Sequence, residues 1–80
     1  MVAWTVYSRE GCSLCEQLMI ELAELLGPAA AAAASVVDIG GDPELERKYG
    51  QRIPVLLADG EFVCAYRLDV ERVRAYLSAQ

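Results

Sequence analysis

Cys12 and Cys15 stand three positions apart in YSREGCSLCEQL (Tyr7–Leu18), and the chain has three cysteines in 80 residues. It has no histidine, which removes the commonest general base, the commonest transition-metal ligand and every Cys-His or Ser-His pair. Chemistry is left to thiols, carboxylates and backbone. Two thiols at this spacing can exchange with a disulfide, supply half of a zinc site or form a permanent staple. Zinc asks for four ligands, and Cys64 is the one further thiol, so no metal site within the chain is expected. A staple framework suits an even number of cysteines in an oxidising compartment. The N-terminal MVAWTVYSRE has no basic leader followed by an apolar block and a small-residue cleavage site, so the expected compartment is the cytosol. Glutathione and thioredoxin keep thiols reduced there, which favours a working pair over a structural one.

A C-x-x-C pair is useful only if the elements around it hold it in place. VAWTVY (Val2 to Tyr7) is apolar and rich in β-branched and aromatic residues, as a buried strand requires. Leu14, Leu18, Leu22, Leu25 and Leu26 then recur at helical spacing with Glu16, Glu21 and Glu24 between them, and Gly27-Pro28 stops that helix. Cys12 therefore falls where the helix begins. Unpaired N–H groups and the helix dipole favour an anion at that position, and C-x-x-C thiols reach pKa values of roughly 3.5 to 7.5 against about 8.5 for free cysteine. Arg9 adds to this stabilisation, and Glu10 and Glu16 oppose it. Cys15, one turn on, is within reach of Cys12 and is expected to be the more buried of the two. Gly11 leaves the approach to Cys12 open.

Further along, the alanine run Ala29 to Ala34 is compatible with a short helical turn opened by Pro28, and a strand is expected from about Ala34 to Ile39. Gly40-Gly41 breaks the strand. Asp42 and Pro43 open a short helix as N-cap and first helical residue, and Gly50 closes it. PVLLA and EFVCAY flank Asp59-Gly60, which predicts an antiparallel hairpin on a type I′ turn. Asp69 caps a last helix with Leu68 and Val73 as a hydrophobic staple and Val70, Val73 and Leu77 as the buried stripe. Trp4 and Cys64 are expected in the core. Tyr7 either packs near the thiols or fills the sheet face.

Composition narrows the function classes. Eighty residues make one domain, 1–80, burying only about 60% of the unfolded surface, and the hydrophobic fraction of 55% argues against disorder. No run reaches the roughly 18 uncharged apolar residues of a membrane span. Seven basic residues are interleaved with twelve acids for a net charge of -5, a balance that disfavours nucleic acid or an anionic membrane as partner.

The element order is β-α-β-α-β-β-α. With YSREGCSLC after the first strand, RIP (Arg52 to Pro54) before the third and the Asp59-Gly60 hairpin, it resembles the thioredoxin fold in its glutaredoxin-like form. It is similar in particular to small, poorly characterised bacterial glutaredoxin-like proteins. The resemblance spans nearly the whole chain and implies an α/β, three-layer fold around a four-stranded mixed sheet. It implies Cys12 as nucleophile and Cys15 as resolving thiol, with Pro54 as a cis residue facing them and Ile53-Pro54 pairing with a peptide or glutathione segment. Arg9 matches the basic residue that the family places three positions before its nucleophile. Ser13-Leu14 replaces the common Pro-Tyr between the cysteines and changes the surface met by substrate. Asp69 matches the aspartate of the glutathione site, without the two glycines that usually precede it.

The implied function is that of a monomeric cytoplasmic thiol-disulfide oxidoreductase acting on protein or glutathione disulfides by dithiol exchange. No cofactor is obligatory, and glutathione is the one small molecule implied. Two alternatives belong to other classes. One is a glutathione-dependent iron-sulfur or metal carrier, which would colour on anaerobic reconstitution. The other is a redox-silent domain that holds an extended peptide beside Pro54, which would survive loss of Cys12.

Overall fold

The computed structural model describes residues 2–79. Its strands are β1 (Trp4–Ser8), β2 (Ser35–Asp38), β3 (Val55–Ala58) and β4 (Glu61–Ala65), and its helices α1 (Ser13–Leu26), α2 (Pro28–Ala32), α3 (Pro43–Tyr49) and α4 (Val70–Ser78). The four strands form one sheet in the order β2-β1-β3-β4. β1 and β2 are parallel across the α1 crossover, while β3 runs antiparallel to both β1 and β4. The mixed thioredoxin-like sheet read from the element order is the sheet observed. α2 is the helical turn left open by the alanine run, with Pro28 at its first position.

Side-chain alternation along β1 separates the two layers of helices. Trp4 and Val6 point to one face, where they join Leu56, Ala58 and Cys64 of the neighbouring strands, Leu18 and Leu22 of α1 and Val73 of α4 in one buried cluster. Thr5 and Tyr7 lie on the other face, and there the Tyr7 ring stacks on Tyr49 of α3 at 4.4 Å between centroids. Of the two places open to Tyr7 in the sequence, the structure uses the sheet face. α1 and α4 therefore cover one side of the sheet and α3 the other, giving three layers.

Local chemistry explains the boundaries. Asp42 accepts from the N–H groups of Glu44 and Leu45, so α3 starts where the Asp-Pro pair predicts. Asp59 and Gly60 adopt φ of 51° and 82°, the two positive values that a type I′ turn needs. Asp69 accepts from the N–H of Arg72, and Leu68 and Val73 pack into the core beside it as the staple requires. Several details differ from the sequence reading, among them β2, which spans Ser35–Asp38 rather than Ala34 to Ile39. β1 begins at Trp4 rather than Val2 and runs on to Ser8. β4 ends at Ala65, because Tyr66 turns to φ 70° and leaves the extended region. In α4, Val70 and Leu77 are 39% and 38% exposed, and Tyr76 takes the core contact beside Val73, edge-on to Trp4. A nine-residue helix lying on a small sheet buries a narrow stripe, so residues at its two ends overhang.

Cys64 is a core residue, as its place in a strand suggests. Burial pushes its thiol above the ordinary range, with the backbone N–H of Asp69 offsetting part of the effect. It therefore stays protonated at neutral pH. The folded form resists ionisation, whereas the unfolded chain ionises near the ordinary value of about 8.5. The stability due to this difference is complete below that value and declines as pH rises towards the folded value. In a Cys12→Ser/Cys15→Ser background, urea stability is expected to fall more steeply with pH above the free-thiol range than in the same protein carrying Cys64→Ala. Leu22 is fully buried between α1 and the sheet. Leu22→Ala is expected to lower stability by about 2–5 kcal/mol, read as a shifted urea midpoint.

Candidate functional site

The strand register assembles the site at one end of the sheet. β1 ends at Ser8, opposite Asp38 of β2, and Tyr7 pairs with Val55 at the start of β3. Val55 in turn pairs with Ala65 at the end of β4. The loop carrying Arg9 to Cys12, the Ile53-Pro54 segment and the turn after Ala65 therefore share that end.

Within it, the chain turns sharply into α1. Gly11 has φ 79°, a conformation that L side chains rarely adopt, so glycine here serves the backbone as well as an open approach. Cys12 is the N-cap of α1, and its Sγ accepts from the N–H of Cys15 at 3.2 Å. The Cys12 N–H donates to the carbonyl of Arg9, closing the turn. Cys12 and Cys15 are disulfide-bonded with their Cα atoms 5.2 Å apart, which is the oxidised form of the pair. Cys15 is buried at 4% exposure, while Cys12 is partly exposed. One sulfur open to solvent and a second shielded behind it form an arrangement compatible with sequential thiol-disulfide exchange.

The other residues read as substrate-binding fall into two groups. Ser13 and Leu14 lie exposed on the first turn of α1, beside the sulfurs. Ile53 and Pro54 join by a cis peptide bond, with Pro54 buried and its carbonyl taken by the N–H of Tyr66 at 2.9 Å. The second group has its polar atoms occupied elsewhere. The guanidinium of Arg9 pairs with Glu46 of α3, tying the active loop to the helix on the far side of the sheet. The carboxylate of Asp69 caps α4 and lies 3.7 Å from Arg72.

Three features were not legible beforehand. A groove of about 150 Å3 runs between Leu14, Gln17, Leu18 and Glu21 of α1 and Tyr66, Arg67 and Leu68 of the turn after β4. The Tyr66 hydroxyl donates to the carbonyl of Gln51 at 2.8 Å. Sequence periodicity continues EFVCAY as a strand and holds no signal for the left-handed turn at Tyr66. Nor does anything in PELERKY mark Glu46, rather than its acidic neighbours, as the partner of Arg9. A larger apolar hollow of about 440 Å3 lies at the opposite end, lined by Trp4, Leu26 and Leu77 among others. Among the described residues no group of three or more Cys, Asp or Glu is placed to hold a metal ion, and no helix is long and apolar enough to cross a membrane.

Comparisons with known proteins agree with this geometry. Residues 4–78 match the family model described as glutaredoxin-like domain (DUF836). An uncharacterised protein of Mycobacterium tuberculosis, Rv0508, is 33% identical over 72 residues, covering 85% of this chain and 74% of its own. The solution structure of Ne2328 from Nitrosomonas europaea superposes with a TM-score of 0.76 at 38% identity, over 94% of this chain and 89% of that one. The thioredoxin of Fasciola hepatica, 17% identical, shares the fold with a TM-score of 0.56 over 98% of this chain and 79% of its own. A C-x-x-C pair capping the first helix of a thioredoxin-like sheet, matched by the family model over nearly the whole chain, places this protein in the glutaredoxin-like domain family.

Proposed function

We propose that this protein is a thiol-disulfide oxidoreductase working by dithiol exchange, with Cys12 attacking and Cys15 resolving. The observation that carries the reading is the capping geometry. The Cys12 sulfur accepts a hydrogen bond from the Cys15 N–H at the positive end of a 14-residue helix, where a thiolate is stabilised over a thiol.

The reduced protein starts with Cys12 as thiolate and Cys15 as thiol. The Cys12 thiolate attacks one sulfur of a substrate disulfide, forming a mixed disulfide as the substrate S–S bond breaks and its other sulfur leaves as a thiolate that takes up a proton. Cys15 then loses its proton and attacks the Cys12 sulfur. The mixed disulfide breaks, the second substrate sulfur leaves, and the Cys12–Cys15 disulfide forms. Two electrons have passed to the substrate, which ends as two thiols. Two thiols of a reductant such as glutathione return the pair to its starting form. Ser13 and Leu14 border the reacting sulfur, and the Ile53 backbone offers an edge on which an extended substrate segment can pair. The groove beside Leu14 gives that segment a partly apolar wall. The reading assigns protein or glutathione disulfides as substrates, with the protein acting as a monomer in the reducing cytosol.

The test is a trapping experiment. Cys15→Ser protein is mixed with glutathione disulfide and, separately, with a peptide disulfide, and adducts are read by mass spectrometry. A mixed disulfide on Cys12 is expected to accumulate with at least one of them, and Cys12→Ser is expected to form none there. No adduct on Cys12 with either substrate would overturn the exchange mechanism. The result also separates substrates, since the preferred one labels faster.

A further inference from the structure

Tyr66 makes two hydrogen bonds to the segment that precedes β3, one from each end of the residue. Its N–H donates to the Pro54 carbonyl at 2.9 Å, and its hydroxyl donates to the Gln51 carbonyl at 2.8 Å. Gln51 to Pro54 is therefore held at both ends by one residue, with Arg52 and Ile53 between the two anchors. Arg52 is fixed in addition through its N–H to the Tyr49 carbonyl at 2.7 Å. Ile53 is left as the residue whose position is set by these surrounding bonds.

The arrangement asks something of the backbone. Tyr66 sits at φ 70°, in the left-handed region that is unusual for a bulky side chain and that glycine enters freely. Its ring is half exposed, so core packing does not account for a tyrosine here. Non-glycine residues held in such conformations point to a local task. At Tyr66 the observable task is the pair of bonds: the left-handed turn ends β4 and lets the side chain reach back to Gln51, 15 residues earlier in the chain. The same ring also borders the groove beside Leu14.

We infer that Tyr66 is a positioning residue for substrate binding, clamping Gln51–Pro54 so that the Ile53 backbone is held ready to pair with a substrate segment. This rests on the exchange function proposed above and adds to it the part that prepares the docking edge. Tyr66 acts through Ile53 and does not touch the reacting sulfurs. Its removal loosens the edge and leaves the nucleophile as it was.

The variant Tyr66→Phe removes the hydroxyl and keeps the ring and the left-handed turn. Losing one hydrogen bond of ordinary strength is expected to raise KM for a peptide disulfide by about threefold to tenfold, with kcat and the rate of Cys12 alkylation by iodoacetamide in the reduced protein unchanged. Amide hydrogen exchange across 51–54 is expected to quicken, and that readout needs no substrate. The second variant, Tyr66→Gly, relieves the backbone but keeps neither ring nor hydroxyl. It is expected to raise KM at least as far as Tyr66→Phe does, since it loses the hydroxyl bond and also the ring that borders the groove. The inference is overturned if Tyr66→Phe leaves both KM and the exchange of 51–54 at wild-type values. It is equally overturned if Cys12 alkylation falls in step with turnover, since the residue would then act on the thiol. A wild-type protein that exchanges with no disulfide would instead sink the underlying function, and the hydrogen-exchange arm would still judge the clamp itself.

Discussion

The structure turns on one hydrogen bond at the head of α1, in which the N–H of Cys15 is donated to the sulfur of Cys12. A helix begins with N–H groups that have no partner inside it, and they are usually satisfied by a serine, threonine, aspartate or asparagine side chain. Here a sulfur fills that role. Under the exchange reading proposed above, the same helix terminus would favour the ionised form of that atom once the pair is reduced, so folding and reactivity would draw on one place. The remaining architecture keeps that contact in place. β1 delivers the chain to the turn, Gly11 supplies the backbone conformation that turns it, and Leu18 and Leu22 seat α1 against the sheet.

Around this point the two faces of the sheet have different duties. The face under α1 and α4 carries the main core, in which Cys64 serves as a small apolar side chain whose thiol is kept neutral by burial. The face under α3 is thinner, and its contacts lead back to the active end through the Tyr7–Tyr49 stack and the Arg9–Glu46 pair. With side chains 42% exposed on both sides, the Arg9–Glu46 pair adds little to stability. Its effect is to tie the turn that carries Cys12 to α3.

The parts of the fold that follow from local chemistry were legible in the sequence. Asp42 before Pro43 and Asp69 ahead of Val73 fix boundaries through capping bonds made within a few residues, Asp59-Gly60 fixes one through its two positive φ values, and each appears in the structure as read. Leucine spacing likewise marked α1, and Cys12 and Cys15 announced themselves by type and spacing. What escaped were contacts between segments distant in the chain. The Arg9 to Glu46 pair spans 37 residues and the Tyr66 to Gln51 bond spans 15, so neither leaves a periodic trace. The fate of Val70 and Leu77 depended on how far α4 overhangs the sheet, a matter of tertiary placement rather than of pattern. Membership of the glutaredoxin-like domain family fits this division, because a shared fold carries the boundaries while individual side chains around the pair set what each member does.

The most direct test of the central claim is the acidity of Cys12 itself. In reduced Cys15→Ser protein, the rate of Cys12 alkylation by iodoacetamide is followed against pH, with Cys64 replaced by alanine so that a single thiol reports. An apparent pKa below 7.5, within the range of helix-capping C-x-x-C thiols, is the result predicted. A value at or above the roughly 8.5 of a free cysteine would mean that the helix terminus does not activate the sulfur, and would contradict the account.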